Sequence, residues 1–270
     1  MTTNNTNTPS FAKKIYIDIR RDAKRILATE NCRAILVAGS VLGASLIALA
    51  IFLSTTVLTA SPTLATSENY PLVNGIMFTV AAFFTLFFFP PIYCGLYNAA
   101  LVSANGEAPT FHDLFKFYSS AKLYSRSIRI FLASSWYIFG LILTLGLSYI
   151  VLGVSNEYFP EGSKTFTDFV FSLQYSFTVF GGIVFFARRK FKFIYIPMAV
   201  ENTDLSLREC SRAYLRTGYL PYRMYFSGDT GKTFGLLIAS VLTIGILYIL
   251  YAAPRAVANK TAYYKAIKID

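Results

Sequence analysis

The sequence predicts an all-α, polytopic membrane helix bundle, and three observations carry that expectation. Only 14% of the 270 residues are charged, against 54% hydrophobic, whereas soluble domains carry about 25% charged residues. Several charge-free stretches are long enough to cross about 30 Å of hydrocarbon as helices. The remaining charge sits between those stretches, where basic-rich and basic-poor segments alternate. This composition argues against an ordinary soluble enzyme, a disordered chain and a disulfide scaffold. In a soluble protein a net charge of +11 would suggest a nucleic-acid partner. Here its placement points to membrane lipid, especially anionic lipid, and to no nucleic acid.

Taken in order, residues 1–10 (MTTNNTNTPS) read as a disordered tail. Residues 11–33 read as an amphipathic basic surface helix. Phe11, Ile15, Ile19, Ala23, Ile26 and Leu27 share one side, and Lys13, Lys14, Arg20, Arg21, Lys24 and Arg25 the other. Such a face suits the cytoplasmic membrane surface; the alternative is a solvated helix packed on its own protein. Residues 34–252 are expected to form a single membrane domain. Its four firm spans lie near 34–58, 74–103, 130–154 and 169–187, and its fifth apolar segment at 233–252. The first is too long for a signal peptide. Pro90-Pro91 predicts a kink or break in the second, and Gly181-Gly182 would allow close helix approach in the fourth. Residues 193–200 are apolar but too short to span, and read as an interfacial continuation of the fourth helix, broken near Pro197. Residues 253–270 read as a basic C-terminal tail.

Counting charge orients the chain. Residues 1–33 hold seven Lys/Arg against three acids, 104–129 four against two, and 188–232 nine against four. Residues 59–73 hold only Glu68, and 153–168 only Lys164 against three acids. The positive-inside rule places the N-terminus and the basic segments in the cytoplasm. The C-terminal segment, with four basic residues, would lie outside if 233–252 were a simple span. A hairpin turning at Thr243 and Gly245 would return it to the cytoplasm. Each arm would reach only about 15 Å, so charge favours the hairpin and length the single span.

The second long basic segment is well specified. Ser206-Leu207-Arg208-Glu209 is a capping box, with Ser206 and Glu209 as the helix cap. Beyond it Arg208, Arg212 and Arg216 fall on one face. With Lys24 and Arg25 they are candidate contacts for anionic headgroups; the alternative is a solvated stripe. A repeat is also visible: Leu143–Ile150 and Leu242–Ile249 are identical at five of eight positions. Each follows a cytoplasmic segment, 109–124 in one case and 203–219 in the other. This suggests a span–surface helix–span unit used twice.

Four sets of motifs occur in order. Arg20-Arg21-Asp22-Ala23-Lys24-Arg25-Ile26-Leu27 precedes the first span. Gly106-Glu107-Ala108-Pro109 and Asp113-Leu114-Phe115 follow the second. Glu201-Asn202-Thr203 leads into Leu205-Ser206-Leu207-Arg208-Glu209-Cys210-Ser211, and Leu242–Ile246 is followed by Pro254 and Ala262-Tyr263-Tyr264. This order resembles a bacterial integral membrane family, domain of unknown function 975, which is similar to the membrane domain attached to some glycerophosphodiester phosphodiesterases. The resemblance spans roughly residues 15–265. It implies a six-segment protein of the bacterial cytoplasmic membrane with both ends cytoplasmic, and no known chemistry.

Catalytic signals are weak. Gly228-Asp229-Thr230-Gly231-Lys232-Thr233 looks like the end of a phosphate-binding loop, but Phe226 stands where its first glycine belongs. His112 is the only histidine, which leaves nothing to complete a triad. Cys32, Cys94 and Cys210 are too scattered for a zinc site or disulfide framework. The spans carry no ionisable group of the kind that ion-coupled transporters place near the midplane. The expectation is therefore a non-enzymatic inner-membrane protein, with no cofactor and no metal, that binds lipid or a membrane protein partner through a basic cytoplasmic face. The alternatives are a transporter or exporter of apolar or amphipathic small molecules, or a lipid-headgroup enzyme using Glu201, Asp204 and Glu209.

Overall fold

The computed structural model describes residues 8–59, 70–134, 146–147, 150–151, 168–169, 172–176, 179–180, 189–216, 246 and 248–267. Among these residues the protein is all-helical, with no strand. Its helices are α1 (Thr8–Ala28), α2 (Cys32–Thr59), α3 (Tyr70–Ala104), α4 (Phe111–Phe115), α5 (121–134), α6 (Arg189–Glu201), α7 (Leu207–Arg216) and α8 (Ala253–Ile267). A 3-10 turn, Lys116–Tyr118, extends α4, and a π-helical turn, Tyr248–Ala252, leads into α8.

The chain divides into two compact units. Unit 1 comprises Met1–Val41, Ile92–Leu123 and Lys190–Asp270; unit 2 comprises Leu42–Pro91 and Tyr124–Arg189. Residues 92–123 and the segment beginning at Lys190 group with the N-terminal part of the chain.

Unit 1 has a closed core. α1 lays Ile19, Ala23 and Ile26 inward, all buried, and packs against α8. Burying side chains such as Ile19 and Ile26 contributes about 1.5–3 kcal/mol each. The apolar face of α1 is therefore covered by protein over these residues, the alternative to membrane contact left open by its amphipathic pattern. α1 begins at Thr8, inside the stretch read as a disordered tail, with Pro9 in its first turn where the missing N–H costs nothing. Residues 253–267 are not a tail: α8 buries Val257, Ala258, Ala262, Tyr263 and Tyr264. Nor are residues 193–200 interfacial. They lie within α6, which runs through Pro197, and Ile194, Tyr195, Ile196, Ala199 and Val200 are buried in unit 1.

Between α1 and α2 the chain turns through 85°. Asn31 makes the corner with φ of +61°, a left-handed conformation that asparagine tolerates better than most residues. Cys32 N–H donates to the Thr29 and Glu30 carbonyls across the turn.

Unit 2 has the opposite character. It exposes Phe52, Val80, Phe83, Phe87 and Phe88, and it buries Ala81, Ala82, Thr85, Ser127 and Ser134. Gly75 and Gly146 meet at a crossing of backbones: a Cβ on Gly75 would lie 2.5 Å from the Ile150 amide nitrogen and 2.7 Å from the Gly146 carbonyl oxygen. Such small-residue contacts are how helices approach where lipid offers no hydrophobic driving force. Within α3, Gly75–Ala104 is long and apolar enough to cross a membrane; α1 and α2 supply one further stretch that passes only as a bent pair.

The Pro90-Pro91 pair does not end α3, which is continuous from Tyr70 to Ala104. Proline at 91 removes the N–H that would bond the carbonyl of Phe87, four residues back. The Tyr124 hydroxyl donates to that carbonyl instead, at 2.9 Å. The division between the two units falls at Pro91.

Candidate functional site

The candidate functional features of unit 1 are exposed basic residues on α1 and α7 and a polar cluster around Glu201 and Lys265. Lys24 and Arg25 are exposed on α1, opposite its buried face. Arg208 and Arg212 are exposed on α7, one turn apart. Arg216 closes α7; its side chain lies outside the described residues, as do the turn residues Thr243 and Gly245. All five basic residues belong to unit 1. Cys210 points inward from α7 and is fully buried, which turns the arginines outward.

α7 is started by a reciprocal cap. The Ser206 N–H and hydroxyl donate to Glu209 Oε2 at 2.8 and 2.7 Å, and the Glu209 N–H donates to Ser206 Oγ at 3.2 Å. The Ser206 hydroxyl, then its backbone N–H and the nearby Arg212 charge, hold the Glu209 carboxyl below its ordinary range. α4 starts in the same way: the Thr110 N–H and hydroxyl donate to Asp113 Oδ2 at 2.8 and 2.9 Å.

The polar cluster is one that the sequence did not announce. The Lys265 ammonium on α8 donates to Glu201 Oε1 at 2.6 Å and to Asn105 Oδ1 at 2.8 Å. The Tyr264 hydroxyl donates to Glu201 Oε2 at 2.6 Å, and Asn202 Nδ2 reaches the Tyr264 hydroxyl at 3.4 Å. Burial first, and then the Glu201 carboxylate, push the Tyr264 hydroxyl well above the ordinary tyrosine range. One turn back, Lys260 Nζ lies 3.0 Å from Tyr97 OH. Ser103 Oγ donates to the Ile26 carbonyl at 2.7 Å, beside the buried Cys32 thiol, whose pKa is raised by burial. Two helix ends, Asn105 after α3 and Glu201 at the close of α6, thus converge on one ammonium. Each stands five residues before the cap residue of its surface helix, Thr110 or Ser206.

These contacts join two of the four motif sets quoted above and tie the other two to α3. Glu201-Asn202 meets Tyr264, Ile26 meets the end of α3, and Asp113 offers its backbone carbonyl to Asn98 Nδ2 at 3.1 Å. Of the three acids considered for a headgroup enzyme, Glu201 holds Lys265 and Tyr264 with its two oxygens and Glu209 holds the cap. Asp204 is exposed. No family model matches the chain, and no curated protein or solved structure matches it.

Proposed function

We propose that the chain is a non-enzymatic, multi-pass protein of the bacterial cytoplasmic membrane, with unit 2 in the bilayer and unit 1 as a basic cytoplasmic cap on anionic headgroups. The observation that carries this reading is the segregation of charge. Unit 1 contains 20 Lys and Arg against 10 Asp and Glu, a net +10; unit 2 contains five against four, a net +1. The unit with little charge also exposes Phe52, Phe83, Phe87 and Phe88.

The topology drawn from loop charge is supported by the same grouping. Most of the three basic-rich segments and the C-terminal segment fall in one unit; the basic-poor segments fall in the other, together with Arg126, Arg129, Arg188 and Arg189. The packing of α1 on α8 favours both chain ends on one side, as the hairpin reading and the family resemblance imply. Lys24, Arg25, Arg208 and Arg212 would each contribute about 1 kcal/mol near an anionic surface. Native mass spectrometry of the chain released from phosphatidylglycerol-containing vesicles tests this. Retained phosphatidylglycerol is expected, and it should be lost when all four residues become alanine. Retention of a neutral lipid alone, or equal retention by the variant, would refute the reading.

A further inference from the structure

We infer that Phe111, Phe115 and Tyr118 form an aromatic ridge that inserts into the headgroup–acyl boundary of the bilayer. This inference rests on the membrane reading above and adds a second, apolar contact to the basic one. The three residues follow helical spacing and are 59%, 39% and 39% exposed. Elsewhere in unit 1, Tyr97, Phe117, Tyr195, Tyr263 and Tyr264 are buried and Tyr251 is exposed; three exposed aromatic residues in one short segment occur only at this place among the described residues of the unit.

The exposure is enforced. Leu114 and Phe117, on the opposite side of the same segment, are buried. Leu114 occupies a socket made by two glycines. A Cβ on Gly39 of α2 would lie 2.7 Å from Leu114 Cδ1, and a Cβ on Gly95 of α3 would strike the Leu114 carbonyl. Asn98 then grips the segment twice: its Nδ2 donates to the Asp113 carbonyl, and its Oδ1 accepts from Lys116 Nζ at 3.2 Å. With the Thr110–Asp113 cap closed, rotation about the segment axis is fixed and the aromatic side is held outward.

The chemistry of the surround selects lipid as the occupant. Aromatic rings concentrate at membrane–water interfaces. Lys122 is exposed beside the ridge and can reach an anionic headgroup. Only Ser119 and Ser120 separate the ridge from α5, which leads into the apolar stretch at 130–154.

The test uses the full chain in vesicles of phosphatidylglycerol and phosphatidylcholine, with Trp136→Phe removing the only native tryptophan. Phe115→Trp reports on the ridge and Phe83→Trp, on the exposed side of α3, reports on the bilayer reading. Insertion by about 5–10 Å is expected for an interfacial segment. The Phe115→Trp emission should therefore be blue-shifted, and phosphatidylcholine brominated near the top of its acyl chains should quench it more than lipid brominated near the chain ends. An iodide-quenched, red-shifted Phe115→Trp signal would overturn the ridge while a lipid-quenched Phe83→Trp leaves the membrane reading standing. A blue-shifted Phe115→Trp signal untouched by either brominated lipid would mean a protein occupant and would also overturn it. Loss of lipid quenching at both positions would remove the membrane reading itself.

Discussion

The two units of this chain are stabilised by opposite means. Unit 1 is organised like a water-soluble domain: isoleucines and tyrosines inside, charges outside, and long-range hydrogen bonds tying helix to helix. Unit 2 exposes Phe52, Phe83, Phe87 and Phe88 and buries alanine, serine and threonine beside Ile130 and Phe131, and its small hydroxyls bond within their own helices, as Thr79 does to the Gly75 carbonyl and Ser127 to that of Tyr124. On the proposed membrane reading, the difference follows from solvent. Water makes apolar burial favourable and tolerates exposed polar groups; hydrocarbon removes that gain and penalises each unsatisfied backbone group.

This contrast can be broken from either side, and the largest effect is expected at close backbone approaches. Gly75→Leu in unit 2 must force two backbones apart, and Gly95→Leu in unit 1 must displace Leu114. Overpacking of this kind costs about 1–3 kcal/mol and sometimes more, so both variants should show sharply lower thermal midpoints in lipid nanodiscs.

Next come single polar groups. Lys265→Met leaves the half-buried Glu201 carboxylate without its cation. A fully buried pair would lose 3–5 kcal/mol; discounted for partial exposure, the loss should be about 1–3 kcal/mol. Tyr124→Phe orphans the Phe87 carbonyl and should cost about 1–3 kcal/mol without altering unit 1, as read by hydrogen exchange. Thr261→Val sharpens the comparison in the other direction. The Thr261 hydroxyl is buried with no hydrogen-bond partner among the described residues, so this near-isosteric change should leave stability unchanged or raise it.

Smaller effects concern the cap and pH. Ser206→Ala should cost about 1 kcal/mol or less, with the loss confined to α7. Because folding raises the Tyr264 pKa, its contribution is intact below about pH 10 and is lost as pH climbs through the folded-state value. Alkaline titration should therefore loosen α8 from α6, and Tyr264→Phe should flatten that response. Folding lowers the Glu209 pKa, so its contribution holds above the ordinary carboxylate range and fades as pH falls through it, a small change at an exposed site.

What the sequence revealed was what is local. The Ser206–Glu209 cap is a four-residue pattern with its own hydrogen-bonding logic, and the inward face of α1 is a simple helical period. Charge density marked which segments would gather together. The Glu201–Lys265 pair joins residues 64 positions apart, and no local pattern records such a partnership. α8 read as a tail because its buried residues are small or aromatic and are interleaved with Arg255, Lys260 and Lys265. Pro90-Pro91 read as a kink or a break, and that the helix continues was not legible because the replacement hydrogen bond comes from Tyr124, a residue outside the helix. The aromatic ridge was invisible for a similar reason: Phe111 and Phe117 look alike in sequence, and only the socket for Leu114 decides which one faces out.

Site-directed labelling tests the division into a membrane unit and a cytoplasmic cap most directly. Cys32, Cys94 and Cys210 are all buried, so a membrane-impermeant maleimide should meet little native background. Ser67→Cys lies in a basic-poor segment and Ala266→Cys on the exposed side of α8. In intact cells, labelling of Ser67→Cys alone is expected, with Ala266→Cys reacting only once the membrane is opened. Labelling of Ala266→Cys from outside, or equal protection of both sites, would contradict the division.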